Sequence, residues 1–356
     1  MKKRILFLCK RRPQQRDLLK SPYGRFYYLP YELSKLGHEV TIALFSHNKN
    51  ENCSSVADGI SWHSMSTNPN PISAYFEIRK LTKELKPDWI VGFSDTYYGI
   101  LAVSLAKTFK TRSILDAYDN YAAYIPWAKP LHALWFRAAR QADILTAAGP
   151  SIADLFQREA GRKTTIVPMS ADPSGFYFRD RFKCRQMFNL PADAILVGYS
   201  GAISNSRDIR TLFDAVELLR KDNDNIRLVL SGRFDAGISI PKTALNAGFV
   251  ATDKLPYLIS AVDVVAVVNK NSSFGIYSYP IKLYEAMASG LRVVASQTPA
   301  TKWILANHSE CLVGPEDPIG LSQRLQQALA QPPSAYEGLP NWQDGARIID
   351  ALIDSN

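Results

Sequence analysis

Hydrophobic and polar positions along this chain alternate between short apolar runs and longer amphipathic segments. The apolar runs are rich in β-branched residues and have the length of strands. The segments between them, such as ISAYFEIRKLTKEL and PLHALWFRAARQA, have the periodicity of helices. This alternation predicts a parallel sheet covered by helices on both faces. In the first half of the chain the predicted strands are residues 4–9, 39–45, 88–93, 112–117, 143–148 and 164–169.

The alternation stops between residues 170 and 192 and then resumes, which predicts two domains. This interval contains proline, glycine and charged residues without clean periodicity, so we interpret it as a connection. A chain of 356 residues is also longer than one hydrophobic core usually supports. We therefore expect an α/β protein with two doubly wound halves, 1–172 and 173–340, that face each other across a ligand-binding cleft. The predicted strands of the second half are 194–200, 226–232, 263–269, 292–296 and 311–314.

Positive charge is concentrated at the start of the chain. The formal net charge is +9, and the first twenty residues hold eight lysines and arginines against Asp17 alone, a local excess of +7. Such a patch suits phosphates, anionic lipid headgroups or nucleic acid, although an ordinary solvated surface has the same composition. No nucleic-acid reader motif accompanies the patch, and its charge is too localised to follow a duplex, so nucleic acid is not expected as a partner.

The motifs that the chain lacks exclude several kinds of site, membrane span and cofactor. The four cysteines lie far apart without a CxxC pair, so neither a metal site nor a disulfide framework is expected, and a reducing cytoplasm is favoured. The longest apolar runs, such as VVAVV, are too short to cross a bilayer, so any membrane contact is expected from the surface. GxGxxG is missing after the first strand and no Walker-type loop is present, so no cofactor is expected.

The first strand–loop–helix unit of the second half, LVGYSGAISNSRDIRTL, has the features of an anion site. Gly198 and Gly201 allow the backbone to approach a bulky group, and Arg207 adds guanidinium donors where a helix begins. A plain turn with a surface arginine would fit the same residues. The pattern of this segment leaves the two interpretations evenly balanced.

The segment YPIKLYEAMASGLRVVAS, residues 279–296, predicts a short helix followed by a buried strand. Lys282 and Glu285 lie three residues apart and therefore share a face of the helix, and small residues crowd its end. A carboxylate fixed there can hold two adjacent hydroxyls, as on a ribose, while the lysine can hold a phosphate. An exposed Lys–Glu pair has the same spacing and would be worth about 0.3 kcal/mol.

From Asp263 onward, the order of strand, loop and YPIKLYEAMASGLRVVAS resembles the nucleotide-sugar-binding signature of the GT-B glycosyltransferases, in particular the retaining family 4 group. Glu285 matches the second glutamate of the family's Glu-x7-Glu motif, which binds the donor ribose. Arg207 matches a basic residue that opens the first helix of the family's second domain. The resemblance implies two Rossmann-like domains, an amino-terminal acceptor domain and a carboxyl-terminal donor domain, with a terminal helix, 341–356, packing back on the first.

Two positions depart from the family pattern. Tyr277 stands where the first glutamate would fall, and Ala202 stands where an arginine often follows the glycine. Lys282 is expected to supply the missing cation, as in family variants with Pro-x-Lys before the second glutamate. Fixed cations would stabilise the departing diphosphate in place of a metal, so no metal is expected. The donor-binding residues implied by the resemblance are Gly201, Arg207, Tyr277, Ser278, Lys282 and Glu285, and Arg207 and Lys282 are also expected to be catalytic.

The acceptor is expected on the first domain. Arg11, Arg12 and Arg16 follow the first strand and could contact an acceptor phosphate or the membrane that carries it. Asp119 follows the fourth strand, near where family members place a polar residue beside the reacting sugar, and could accept the acceptor's proton. A helix cap would explain Asp119 equally well. Asp95 is a weaker candidate of the same kind.

Together these features lead us to expect a cytoplasmic, metal-independent and retaining glycosyltransferase, peripheral at an anionic membrane. It would move a sugar from a nucleotide-sugar donor to a glycan or polyprenyl-diphosphate-linked acceptor in bacterial cell-surface polysaccharide biosynthesis. Two alternatives remain open. A GT-B epimerase would convert a sugar nucleotide without an acceptor, and a non-catalytic nucleotide-sugar-binding relative is suggested by Tyr277 and Ala202.

Overall fold

The chain forms two compact units, residues 1–169 with 340–356 and residues 170–339. The structure is a computed structural model, and it describes residues 2–93, 96–332 and 335–355. Both units are built on parallel sheets, which confirms the predicted fold class. Every strand predicted from the pattern is present, although the one expected at 164–169 is reduced to Thr165–Ile166.

The described part of the first unit contains an eight-stranded sheet in the order β3-β4-β2-β1-β5-β6-β7-β8. Its central strands are continuous apolar runs because helices cover both faces of the sheet. The residues of β1 pair with β2 on one side and with β5 on the other. The strands are β1 (Arg4–Lys10), β2 (Glu39–Ser46), β3 (Cys53–Ala57), β4 (Ile60–Ser66), β5 (Trp89–Gly92), β6 (Arg112–Ala117), β7 (Ile144–Ala147) and β8 (Thr165–Ile166).

The antiparallel hairpin of β3 and β4 was not predicted. All five residues of β3 are exposed, so its sequence carries no apolar alternation. The turn is made by Asp58 and Gly59, both with positive φ (54° and 74°), as in the tight turns that join antiparallel strands. The hairpin extends the outer edge of the sheet, remote from its centre.

The helices of the first unit show recognisable start and stop signals. In α2, Asn70 caps the first turn by accepting from the backbone N–H of Ile72, and Lys86 ends the helix in the left-handed conformation. The helices of this unit are α1 (Arg25–Lys35), α2 (Pro71–Leu85), α3 (Thr96–Phe109), α4 (Lys129–Gln141), α5 (Pro150–Ala160) and the terminal helix, which is α12 in chain order (Trp342–Ser355).

The terminal helix α12 packs against α1 in the first unit, although the second unit precedes it in the chain. The ring of Trp342 stacks on that of Tyr28 with centroids 5.8 Å apart. Gly345 lets the two helices approach, because a Cβ there would lie 2.9 Å from Leu29 Cδ2. The apolar stripe of α12 is buried against this helix.

The described part of the second unit contains a six-stranded sheet, all parallel, in the order β11-β10-β9-β12-β13-β14. A cluster of mostly aliphatic side chains from its central strands and from flanking helices forms the core. The strand at the far edge, β11, was not predicted because its residues are only half buried. The strands are β9 (Ile195–Ser200), β10 (Ile226–Ser231), β11 (Leu245–Gly248), β12 (Val264–Val267), β13 (Arg292–Ser296) and β14 (Leu312–Val313).

Residues 170–192, predicted to be an irregular connection, contain a short helix within the second unit. Asp180 caps this helix by accepting from the backbone N–H of Lys183. Arg185 anchors it, because its Nη2 lies 2.6 Å from Asp263 Oδ2 at the start of β12. The helices of this unit are α6 (Arg181–Met187), α7 (Ile209–Asp222), α8 (Leu255–Ser260), α9 (Ile281–Ala288), α10 (Pro299–Ile304) and α11 (Pro318–Ala330).

Candidate functional site

The order of strands in the second sheet places a switch point between β9 and β12. The chain leaves β9 to build β10 and β11 on one side and then crosses to β12 on the other. In open α/β sheets the crevice outside the carboxyl ends of such strands is the usual place for a ligand. The loop 201–208 leaves β9 there, and the loop 268–280 leaves β12. All six donor-binding residues predicted from sequence lie on these two loops or on α9.

Two glycines hold the first of these loops close to the sheet. The backbone N–H of Gly201 donates to Ser231 O at 2.8 Å, which ties the end of β9 to the end of β10. At Gly232 a Cβ would lie 1.7 Å from the carbonyl oxygen of Gly201, so no larger residue fits. Gly201 was predicted as a site residue, whereas Gly232 was not, and its only signal is a glycine directly after a buried strand.

Arg207 ends a 3₁₀ turn, Asn205–Arg207, just before α7. The helix predicted to begin near Arg207 begins instead at Ile209, because Asp208 adopts a left-handed conformation with φ of 58°. The guanidinium of Arg207 lies 4.2 Å from the centroid of the Phe274 ring. Its Nη1 donates to Asn269 Oδ1 at 3.2 Å, which joins the two loops. Asn269 is buried and was not predicted, although a polar residue at the carboxyl end of a buried strand is a usable signal.

Lys282 reaches from α9 back to β9. Its Nζ donates to Ser200 Oγ at 3.1 Å, and its Cε lies 3.5 Å from where a Cβ on Gly201 would stand. Tyr199 also borders this point, since its hydroxyl donates to Ala202 O at 2.8 Å. Burial raises the pKa of Tyr199 to about 12, although the nearby charge of Arg207 opposes the shift. The Tyr199 hydroxyl therefore stays protonated at neutral pH. The positive charges of Lys282 and Arg207 both lie beside the loop 201–208.

Glu285 lies one turn after Lys282 on α9 and is only 8% exposed. The alternative of a solvated surface ion pair therefore does not describe its position. Its backbone carbonyl accepts from Ser289 Oγ at 2.9 Å near the end of the helix. Tyr277 is half-buried in a 3₁₀ turn, Gly275–Tyr277, and Ser278 is buried beside it. The structure thus places Tyr277, Ser278, Lys282 and Glu285 on one continuous segment at the switch point.

Arg11 and Arg12, expected to meet an acceptor or a membrane, engage carboxylates of their own unit. Arg11 is buried and its Nε donates to both oxygens of Asp17 at 3.1 Å. Arg12 holds Glu51 with two bonds of 2.6 Å and contacts Asp17 at 2.7 Å. The hydrogen bond from Arg12 lowers the pKa of Glu51 to about 2. The local positive excess counted from the sequence is therefore reduced by Glu51, a residue outside the first twenty.

The other acceptor candidates, Arg16, Asp119 and Asp95, differ in what the structure shows of their contacts. The guanidinium of Arg16 lies 3.7 Å from the centroid of the Tyr23 ring. Asp119 accepts from the backbone N–H of Asn120 at 2.9 Å and from the Tyr124 hydroxyl at 2.6 Å. The cap of the following 3₁₀ turn is Asn120 rather than Asp119. Asp95 lies outside the described residues.

A neighbouring carboxylate, Asp116, has a structural partner. Its oxygens lie 2.6 and 2.7 Å from Nη2 and Nε of Arg25, which is completely buried. Arg25 also donates to Val167 O at 2.6 Å, so it joins α1 to β6 and to the end of β8. This buried pair fixes the carboxyl edge of the first sheet on which Asp119 lies.

Comparison with known proteins identifies the two units. A model described as "Glycosyl transferase 4-like domain" matches residues 25–170, and one described as "Glycosyl transferases group 1" matches 194–331. The chain belongs to the GT-B glycosyltransferases of the family 4-like type. The second match ends at the beginning of the segment before α12 and contains the whole switch-point site.

Individual relatives of this GT-B chain are distant. D-inositol 3-phosphate glycosyltransferase of Stackebrandtia nassauensis is 26% identical over 201 residues, 51% of this chain and 44% of the relative. This chain therefore matches less than half the length of that curated relative. Sucrose-phosphate synthase from Thermosynechococcus elongatus has a TM-score of 0.72 at 16% identity, over 99% of this chain and 97% of that one. HepE from Anabaena in complex with UDP-glucose has a TM-score of 0.70 at 15% identity, over 99% and 98%. These two likenesses establish the fold.

No group of three or more His, Cys, Asp or Glu among residues 2–93, 96–332 and 335–355 is arranged to hold a metal ion. Over the same ranges, no helix is both long and apolar enough to cross a bilayer.

Proposed function

We propose that this protein transfers a sugar from a nucleotide-sugar donor to an acceptor hydroxyl, with the donor bound by the second unit. The observation that carries the proposal is that a buried carboxylate, Glu285, and Lys282 lie one turn apart on one short helix at the switch point. Glu285 would accept hydrogen bonds from the two hydroxyls of the donor ribose. Lys282 and Arg207 would hold the diphosphate beside the backbone of Gly201.

Cleavage of the bond between the anomeric carbon and the diphosphate leaves negative charge on the departing phosphate oxygen. Fixed cations lower the barrier because they are already oriented toward that charge. In the proposed reaction Arg207 and Lys282 have this role without a metal. Arg207 is suited to it, since the Phe274 ring and Asn269 hold its guanidinium in place. Tyr277, in place of the family's first glutamate, and Ser278 would border the donor sugar.

The acceptor would bind the first unit, with Asp119 orienting a sugar hydroxyl or taking its proton. The hydrogen bond from Tyr124 holds the Asp119 carboxylate in one orientation. We propose a glycan or a polyprenyl-diphosphate-linked sugar as acceptor, in bacterial cell-surface polysaccharide biosynthesis, with retention of anomeric configuration. The enzyme would act in the cytoplasm, in peripheral contact with an anionic membrane. Arg11 and Arg12 lend little support to this contact, because their charges are matched by Asp17 and Glu51.

The proposal is tested by donor binding. UDP-, GDP-, ADP- and dTDP-sugars would be screened by thermal shift, because a ligand that binds only the folded state raises the melting temperature. The affinity of the best donor would then be measured by calorimetry for the wild type and Glu285→Ala. We expect at least about a tenfold loss of affinity in the variant, the cost of one charge-assisted hydrogen bond.

The matched control is Glu217→Ala, which removes an exposed glutamate from α7 of the same unit and should leave donor affinity unchanged. A Glu285→Ala protein that stays folded and binds the donor as tightly as the wild type would refute the assignment. Sugar transfer would then be measured with the best donor and lipid-linked acceptors. Conversion of the donor without any acceptor would instead identify an epimerase.

A further inference from the structure

A small cavity lies where β12 and β13 begin, at the opposite end of these strands from the donor site. Its volume is about 50 Å³. Its polar lining comes from Arg179, Arg181, Asp263 and Arg292, with Ser260 and Ser289 behind them. We call it the arginine cavity. The rise of six residues from Lys282 to Ala288 puts about 9 Å of α9 between the donor-site lysine and the cavity, while Glu285 lies four residues before Ser289 of the lining.

The charges around the arginine cavity do not balance. Both oxygens of Asp263 are already occupied: Oδ1 pairs with Arg181, and Oδ2 accepts from Arg185 at 2.6 Å and from the backbone N–H of Leu196 at 2.7 Å. Arg292 donates from Nε to Gln331 O at 2.6 Å and from Nη1 to Asp263 O at 3.3 Å, and both acceptors are backbone carbonyls. Three guanidinium groups therefore line the cavity with a single carboxylate, which is shared with Arg185.

Two further observations, one on Arg292 and one on Arg179, agree with an excess of positive charge at this cavity. Burial, followed by the positive charge of Arg181, lowers the pKa of Arg292. Arg179 is held between two rings, 3.8 Å from the centroid of Tyr177 and 4.7 Å from that of Tyr257. Its Nε is shielded from solvent and has no hydrogen-bond partner among the described residues. A donor in this position is stabilised when an anion binds to it.

These arginines are not needed to cap the helices that end at the cavity. At the end of α9, Glu285 O accepts from Ser289 N, Ala286 O from Leu291 N and Met287 O from Gly290 N. At the end of α8, Pro256 O accepts from Ser260 Oγ at 2.8 Å. The carbonyls that end α8 and α9 already have donors, and the other hydrogen bonds of Arg179 and Arg292 go to neutral backbone carbonyls. The excess positive charge of the cavity therefore remains for a ligand.

We propose that the arginine cavity binds a phosphate group, either on a soluble molecule or on the headgroup of an anionic lipid. A water requires roughly 10–15 Å³ of such volume, so the cavity has room for about four water-sized groups, which is the oxygen count of one tetrahedral oxyanion. Guanidinium forks match the geometry of phosphate oxygens. The exposed ring of Phe178 lines the cavity and suits a ligand with an apolar portion.

The first test is calorimetric titration of the full chain with inorganic phosphate at constant ionic strength. We expect Arg292→Gln to weaken phosphate binding at least about tenfold, because a charge-assisted hydrogen bond is lost. Arg227→Gln is the matched control, since it also removes an arginine near the start of a strand at this edge of the sheet, and it should bind phosphate like the wild type. Lys282→Ala removes a cation of the donor site and should leave this binding in place. Binding that is lost in Lys282→Ala but kept in Arg292→Gln would overturn the proposal, and the donor-site proposal would still stand.

A second measurement uses only the wild-type protein, in case Arg292→Gln does not fold. Phenylglyoxal modifies accessible arginines, and mass spectrometry of peptides assigns the sites. Phosphate should slow modification of Arg181 and Arg292 several-fold and leave Arg227 unchanged. Equal modification rates with and without phosphate would overturn the proposal.

The source of the phosphate is distinguished by vesicle flotation. Phosphatidylcholine vesicles would be compared with vesicles that also contain phosphatidylglycerol. Flotation that depends on phosphatidylglycerol and is lost in Arg292→Gln assigns a lipid headgroup, whereas phosphate binding without such flotation assigns a soluble ligand. The absence of both contradicts the proposal.

Discussion

The loops that follow the first strand of each sheet, 11–20 after β1 and 201–208 after β9, both carry arginines but use them differently. Arg11 and Arg12 are paired with two carboxylates, Asp17 and Glu51. The partners of Arg207 among the described residues are an amide oxygen and an aromatic ring, neither of which carries a formal charge. A cation matched by a carboxylate stabilises its own loop, whereas one held by neutral groups keeps its charge for an anionic ligand. The comparison therefore separates structural arginines from those suited to binding a diphosphate.

The largest expected effect concerns a third arginine, Arg25, whose charge is fully matched by Asp116. Arg25→Met would leave the Asp116 carboxylate buried without its pair, which costs about 3–5 kcal/mol of stability. Urea unfolding measures the loss, and hydrogen exchange of peptides from each unit would assign it to the first unit. Arg137→Met, on the exposed side of α4, is the control and should be near neutral. A loss below about 1 kcal/mol in Arg25→Met would show that the ion pair with Asp116 contributes little to the stability of the first unit.

The next effect separates the two loops directly. Arg207→Ala should lower kcat/KM for sugar transfer about 10²–10³-fold, the range typical for removing one preorganised donor to a developing anion. Arg12→Ala should leave donor affinity unchanged and lower stability by about 1–3 kcal/mol, since Glu51 loses charge-assisted hydrogen bonds. Steady-state kinetics, calorimetric titration with the donor and thermal unfolding of both variants provide the measurements. Similar losses of donor affinity in the two variants would remove the distinction between the loops.

The sequence signals that succeeded are local, and those that failed depend on contacts between distant residues. Continuous apolar runs predicted the central strands because burial on both faces demands them, and the 279–296 segment carried Lys282 and Glu285 on one helix. The pairing of Arg12 with Glu51 could not be predicted, because 39 residues separate them and the fold alone brings them together. Gly232 and Asn269 do have a local signal, since each lies just after a buried strand, but their contacts with the neighbouring strand or loop are visible only in the fold. The exposed strand β3 carried no apolar signal at all.

The smallest effect is a pH dependence that belongs to the first loop only. The hydrogen bond from Arg12 lowers the pKa of Glu51 to about 2 from an ordinary value of 4.5. Burial alone would raise the pKa of Asp17, but hydrogen bonds from Arg11 and Leu19 N–H, and the charges of both arginines, bring it below its usual 3.8. Because the folded state holds these protons less tightly than the unfolded chain, this contribution to stability is complete above about pH 4.5. It is lost as the pH falls toward about 2.

Unfolding free energies measured between pH 2 and 6 would show this dependence. Glu51→Gln should flatten it over the lower part of that range, because the glutamine carries no titrating proton. A Glu310→Gln variant removes an exposed glutamate of the second unit. Its free energy of unfolding should change with pH with the same slope as that of the wild type. The second loop carries no carboxylate paired to Arg207 among the described residues, so Arg207→Ala should leave the slope as it is in the wild type. If Glu51→Gln kept the full slope, the charges of the first loop would not be matched in solution, and Arg11 and Arg12 would again be candidates for an acceptor phosphate.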